Sequence, residues 1–371
     1  MKISIGSRIV EGPWGGGNLF VKNLTKVLYE NGHEVVYDLD HRDIDGILLT
    51  DPRGRQESLS SFNHKDIERY INLVNPNVFV VQRINECDER KGTKGINDLY
   101  LEASMVAHKI VFVSEWLRNI YLSKGMNKEK TSVILAGADR SVFNNNNTYY
   151  KIDKSQKIKL VTHHWSDNWN KGFDVYKRLD DSITKGYFEY DLNFTYIGNI
   201  SHKINFKNTK IIEPLAGEEL SSELKKHHIY VTGSLNEPSG NHHIEAAQCG
   251  LPILYRESGG IPEYCQAYGL GFSNDFFVKL RYLIENYDIF TKKVTSYPNN
   301  ALEMSTKFLD LFEKNSFKRE NHKKITTIKL NYYQFILIYK LKKYLQMSRV
   351  IKGTRMILSK FPKLYIKNVK K

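Results

Sequence analysis

Short apolar runs of β character recur along this chain, and between most of them the apolar positions fall at helical spacing. Ile3–Gly6, Glu34–Tyr37, Gly46–Leu49, Asn77–Gln82, Lys109–Val113 and Ser132–Leu135 predict strands. Between the first two, Leu19, Phe20, Leu24, Val27 and Leu28 mark one face of a helix from Asn18 to about Asn31, with Asn18 as its cap and Gly32 as its stop. Strands alternating with helices predict a parallel, doubly wound sheet. The run NNNNTYYKIDKSQ, Asn144–Gln156, is polar and aperiodic and reads as a linker. A second alternating series follows from Ile158 to about Tyr287, and Asn300–Lys314 is again helical in pattern. The expected fold is α/β, with two Rossmann-like domains facing across a cleft. The expected boundaries are 1–150, 157–299, a helix at 300–314 returning to the first domain, and a C-terminal extension at 315–371.

Length agrees with two cores: 371 residues exceed what one ordinary hydrophobic interior organises. No run of 18 apolar residues is present, so no spanning helix is expected, and MKISIGSRI reads as a first strand and not as a signal peptide. Cys87, Cys249 and Cys265 form an odd set without CxxC spacing, which points to a reducing, cytoplasmic setting and no structural zinc. Charge is distributed unevenly. From Lys314 onward there are 17 Lys and Arg against one acid, Glu320, so the net +14 of the chain belongs to its end. NYYQFILIYKLKKYLQM and the stretch after it interleave apolar and cationic side chains, a composition suited to an anionic membrane surface through residues 315–371. A solvated extension is the plainer reading. Nucleic-acid binding is disfavoured, because no recognition module accompanies the charge.

The chemistry concentrates in SLNEPSGNHHIEAAQCGLP, residues 234 to 252. Ile229–Val231 reads as a strand, Pro238 and Gly240 as a turn, and Asn241–Cys249 as a helix closed by Gly250 and Pro252. Free amides at the helix start near Gly240 and Asn241 favour phosphate or sugar oxygens. Glu237 and Glu245 bracket that start, and Asn241 and Glu245 share a helical face. A bare helix terminus with nearby acids is the bland alternative. A second glycine-rich stretch, Gly12–Asn18, lies between the first strand and first helix, where parallel sheets receive ligands. It lacks the GxGxxG order of dinucleotide sites, although Asp38 and Asp40 leave a dehydrogenase reading open by spacing alone. Asp38-Leu39-Asp40 also spells DxD, but reads best as solvated acids at a strand end. The adjacent histidine pairs at 163, 227 and 242 point apart, so no metal is expected.

Together, EPSGNHHIEAAQCGLPILYRESGGIPEY resembles the donor-site signature of the family 4 retaining glycosyltransferases, with its Glu-x7-Glu pair and Gly-Gly-x-Pro-Glu turn. KLVTHHWSDNWNKGFDVY resembles the start of that family's second domain. VVQRINECDERK and IVFVSEWLRNIY resemble the first domain of its bacterial polysaccharide members. The likeness spans residues 1 to about 313 and implies the two-domain GT-B architecture. It further implies a metal-independent transferase without cofactor, a nucleotide-sugar donor, and a glycan or lipid-linked glycan acceptor, working in the cytoplasm or at the inner membrane face. By resemblance, Lys171 faces the donor diphosphate, Glu245 holds the ribose, and Glu237 lies by the sugar ring as the catalytic carboxylate. Gly15, Gly16 and Gly17 let backbone amides approach the donor diphosphate or the acceptor, with a flexible surface loop as the alternative. The family's usual arginine just before the lysine is absent, its neighbourhood holding His163, His164, Trp165 and Ser166. On the acceptor side, Arg83 and Asn85 are the expected binding residues and Asp88 the candidate base, with a salt-bridged loop as the alternative. A nucleotide-sugar epimerase of similar fold, or a non-catalytic membrane or nucleic-acid binding protein, would share much of this pattern.

Overall fold

The computed structural model describes residues 1–12, 15–54, 58–146, 151–316 and 332–341. Its first sheet is parallel throughout, built from β1 (Lys2–Ile5), β2 (Glu34–Val36), β3 (Gly46–Leu49), β4 (Phe79–Ile84), β5 (Lys109–Phe112) and β6 (Thr131–Val133) in the order β2-β1-β3-β4-β5-β6. The second is likewise parallel: β7 (Ile158–His164), β8 (Leu192–Gly198), β9 (Lys210–Ile212), β10 (Ile229–Thr232), β11 (Ile253–Arg256) and β12 (Gly269–Phe272), in the order β12-β11-β10-β7-β8-β9. Every residue of β3, β4 and β10 is buried. This is why these segments are mostly apolar, with Gln82, Arg83 and Thr232 near their carboxyl ends: helices cover both faces of a parallel sheet.

Two local expectations shift. β4 runs to Ile84, two residues past the expected end, so Arg83 is a strand residue paired in register with Val111 and not the first residue of a loop. The first helix spans Gly15–Glu30 and begins before Asn18. Asn18 is not its cap. Its carboxamide accepts from the Val10 amide at 3.0 Å and donates to the Val10 carbonyl at 2.7 Å, fastening the incoming loop to the helix flank.

The chain returns to the first domain through the Ala301–Ser316 helix, which lies on Gly15–Glu30. Phe308 meets Phe20 edge-on at 5.1 Å, and Phe312 meets Phe79 at 6.0 Å. Residues 332–341 form a further helix on the same domain, with Phe335 and Tyr339 almost fully buried and Phe335 edge-on to Tyr70 at 5.6 Å. Tyr332 donates to the Asp40 carbonyl at 2.6 Å, and the Arg42 guanidinium lies 3.9 Å from its ring centre. This part of the expected extension is thus packed, because its aromatic residues enter the core beneath it. The rest of residues 315–371 lies outside the described residues, apart from 315–316 in the preceding helix. Among the described residues, no helix is long and apolar enough to cross a membrane.

The two domains share a buried apolar cluster that includes Val111, Ala136, Leu220 and Tyr264, and polar contacts also cross between them. Glu263, from the Gly-Gly-x-Pro-Glu turn, accepts from the amides of Glu115 and Trp116 at 2.7 Å each, supplying an acid at the start of the Glu115–Ser123 helix of the other domain. Asn170 and Asn236 donate to the carbonyls of Arg90 and Glu89 at 3.1 and 3.2 Å.

Candidate active site

Between the carboxyl ends of the two sheets lies a cavity of about 470 Å³, the position where open α/β sheets bind ligands. The first domain contributes Gly16, Gly17, Arg83, Asn85 and Arg90 to its wall. The second contributes His163, Lys171, Glu237, Gly240, Asn241 and Glu245.

Backbone geometry explains why the sequence around Glu237 looks as it does. β10 ends at Thr232, and the chain turns through Asn236, which at φ 50° is the one non-glycine among the described residues with positive φ. Gly240, at φ 90°, precedes the Asn241–Gln248 helix, and a Cβ there would fall 2.6 Å from the His242 ring. Gly259 and Gly260 are required because this loop lies directly on them: a Cβ would fall 2.5 Å from the Glu237 carbonyl oxygen or 2.3 Å from that of Pro238. The Gly260 amide donates to the Glu237 carbonyl at 2.9 Å. The two distant motifs are therefore one structural unit that fixes the Glu237 backbone.

Glu237 is 4% exposed, and its side chain lies between two cations from different domains. Lys171 Nζ donates to Oε2. Arg90 Nε stands 3.1 Å from Oε1, a charge contact in which its N–H makes no aligned hydrogen bond. Arg90 also reaches Glu86 at 3.2 Å. Burial alone would raise the Glu237 pKa, but Arg90 and Lys171 outweigh it and hold the carboxyl at about 2. Burial draws Lys171 below its usual range, with Glu237 opposing. Arg90 is held above its own range, since Glu237 and Glu86 overcome burial.

Glu245, one turn into the helix, pairs with His163 Nε2 at 2.8 Å. His163 Nδ1 is buried without a hydrogen-bond partner. Burial pushes His164 and His242 well down and His243 to about 3, so these are neutral rings at ordinary pH. His164 and His242 stack edge-on at 4.6 Å. Gly16 abuts the helix start, a Cβ there falling 2.9 Å from Asn241 Oδ1, whereas Gly17 is open.

Of the residues expected from sequence, the structure brings Glu237, Lys171, Gly240, Asn241, Glu245, Gly16, Gly17, Arg83 and Asn85 to one cavity. Asp88 is not among its lining residues. Its carboxylate accepts from the Thr93 hydroxyl at 2.9 Å and from the Ile96 and Asn97 amides at 3.0 Å each, so both oxygens are engaged in holding the start of the Ile96–Ala103 helix. Burial works to raise its pKa, and these bonds lower it on balance. That geometry offers no base to the cleft. Arg90 is a cleft residue the sequence did not single out, and His163 was named only as a neighbour of the missing arginine: Arg90 sits in a run of acids followed by bases that reads as a salt-bridged loop. Its spacing of four from Glu86 was the available signal. Among the described residues, no group of three or more His, Cys, Asp or Glu is arranged to hold a metal ion.

Comparison with known proteins places this arrangement. Residues 193–288 match the family model described as glycosyl transferases group 1. Among solved structures, HepE of Anabaena in complex with UDP and glucose is similar over 84% of this chain and 99% of its own, at 11% identity and TM-score 0.58. The catalytic domain of starch synthase IV from Arabidopsis thaliana, bound to ADP and acarbose, is similar over 85% and 99%, at 10% identity and TM-score 0.60. The fold is GT-B. The lipopolysaccharide outer core galactosyltransferase WaaB shares it over 85% of this chain and all of its own, at 10% identity and TM-score 0.58. No curated protein matches by sequence. The matched segment holds Glu237, Gly240, Asn241 and Glu245, while Lys171 and the first-domain residues lie outside it.

Proposed function

We propose that this protein is a retaining glycosyltransferase that moves a sugar from a nucleotide-sugar donor to a glycan or lipid-linked glycan acceptor. The observation that carries this reading is the convergence on one cavity of Glu237, two cations from opposite domains, and the open helix start at Gly240 and Asn241. Cleavage of an anomeric bond to a diphosphate builds positive charge on the sugar and negative charge on the leaving group. Fixed charges of both signs in a water-poor cleft meet that demand, each well-placed donor contributing a few kcal/mol, roughly 2.7–4. Lys171 and Arg90 share Glu237 when no phosphate is present. A donor diphosphate beside the Gly240 amides offers them further anionic partners and leaves Glu237 oriented toward the sugar ring. Glu245, held by His163, is the ribose carboxylate of the resemblance, its bonds charge-assisted. With Asp88 engaged elsewhere, the leaving phosphate is the acceptor's proton sink, which suits retention.

UDP in HepE and ADP in starch synthase IV support nucleoside diphosphate sugars as the donor class. A cytoplasmic enzyme meeting its acceptor at an anionic membrane surface is the setting that the charge of residues 315–371 supports.

The test is turnover with a panel of UDP-, GDP- and ADP-sugars and candidate oligosaccharide acceptors. Nucleotide release that depends on acceptor is expected, with the donor's anomeric configuration preserved in the product by NMR. Glu237→Gln should lower turnover by about 10²–10³, the range for loss of one electrostatic group. An inverted product would refute retention. Acceptor-independent conversion of the donor would point to an epimerase.

A further inference from the structure

Among the described residues, four lysines and arginines line the cleft: Lys22, Arg83, Arg90 and Lys171. Three have carboxylate partners, Lys22 with Glu11 at 2.9 Å, Arg90 with Glu86 and Glu237, and Lys171 with Glu237. Arg83 differs. It is 6% exposed, on the all-buried strand β4, with its guanidinium 4.0 Å from the centre of the Phe20 ring. Among the described residues no carboxylate comes within ion-pair reach and no acceptor takes its N–H groups. The titratable groups that act on it are the phenols Tyr264 and Tyr100, neutral themselves near neutrality, and burial draws the Arg83 pKa down to about 10, leaving it cationic there. A buried charge without a partner costs free energy, and the π face of Phe20 returns only part of it. Such a group is retained where a ligand supplies the missing anion.

We infer that Arg83 is the anchor for an oxyanion, a phosphate or carboxylate, carried by the acceptor. The guanidinium is a planar fork of five donors that matches such groups bidentately. It stands on the first-domain wall of the cleft. Lys171, Glu237, Gly240 and Asn241 belong to the second domain, whereas Arg83 stands on the first, beside Asn85 and the Gly15–Glu30 helix. The acceptor class is then an anionic one, a glycan bearing uronate or phosphate, or a phosphate-linked lipid. This rests on the glycosyltransfer reading above and narrows it.

The experiment uses the full chain, saturated with whichever of UDP, GDP or ADP raises its melting midpoint. Glycerol phosphate and glucuronate serve as oxyanion probes and glucose as the neutral control. In the wild type, at least one oxyanion probe raises the midpoint further and glucose does not. Arg83→Gln removes that response, keeps nucleotide affinity within about twofold, and without ligand melts no lower than the wild type, since the lost charge had no partner. Arg83→Lys, which keeps the charge without the fork, loses about tenfold in oxyanion affinity and carries the test should Arg83→Gln not fold. Equal oxyanion responses in wild type and variant, or none in the wild type, would overturn the inference. A tenfold or greater loss of nucleotide affinity in Arg83→Gln would assign the guanidinium to the donor diphosphate instead. A wild type that binds no nucleotide would refute the glycosyltransferase reading, not this assignment alone.

Discussion

Glu237 illustrates how position, more than residue type, sets chemistry. Between Arg90 and Lys171 its pKa is about 2, so relative to an ordinary glutamate its ionised form is favoured by folding. The stability this brings is fully present above pH 4.5 and is lost as pH falls through about 2. Lys171 is also lowered, but for it that disfavours the charged form: burial lowers its pKa, so it loses its proton earlier on the alkaline side than a free lysine. In the profile of kcat/KM against pH, the acid limb above pH 4.5 should be the same in wild type and Glu237→Gln, while Lys171→Arg should carry the alkaline limb to higher pH. An acid limb that vanishes in Glu237→Gln would overturn this order of ionisation. The carboxylates were legible in sequence because their spacing repeats a known signature. Arg90 was not, because what makes it a site residue is a contact with a glutamate 147 positions away across the domain boundary, and no local pattern records that.

Among the elements, strands were the most legible, since parallel strands buried on both faces are mostly apolar, although Gln82, Arg83, His163 and His164 are buried strand residues at the cleft ends. Termini were less so. Arg83 closes no apolar run yet belongs to β4, and Asn18 has the chemistry of a cap but spends it on Val10. Residues 332–341 are the most instructive case. Their composition suggested a surface-seeking extension, and the helix does both things: Phe335 and Tyr339 fill the first domain's core while Tyr333, Leu337 and Leu341, at intervals of four, face outward. The two faces should separate by mutation. Phe335→Ala should destabilise the protein by about 3–5 kcal/mol in urea unfolding, the usual cost of deleting a buried phenyl ring. Leu337→Asp with Leu341→Asp should change stability by under about 1 kcal/mol and reduce sedimentation with phosphatidylglycerol vesicles. Undiminished vesicle binding in the double variant would remove this face from any membrane contact.

At the scale of the whole molecule, the cleft is built by two separate sheets, and its charge cluster is complete only when they approach. Arg90 and Glu237, Asn170 and the Arg90 carbonyl, and Asn236 and the Glu89 carbonyl all cross the gap. Domains of one chain commonly move relative to one another, and a closing cleft excludes water from an activated sugar. Glu263 is the sharpest handle on this motion, because it accepts from two amides of the opposite domain while lying among no cavity-lining residues. Losing an acid at a helix start typically costs about 0.5–2 kcal/mol, and here that loss falls on the closed arrangement and not on either domain by itself. Glu263→Ala should therefore leave the unfolding of the separate cores nearly unchanged and enlarge the radius of gyration seen by small-angle scattering, which for a compact chain of this length is about 21 Å. Added nucleotide should reverse the enlargement by drawing Arg90 and Lys171 onto one ligand. In turnover, the same variant should release more free sugar for each glycosidic bond formed, because water reaches the donor in the open state. Identical scattering and identical partition between hydrolysis and transfer would mean that the two domains are held together by contacts other than these, and that the cleft does not depend on closure to protect its substrate.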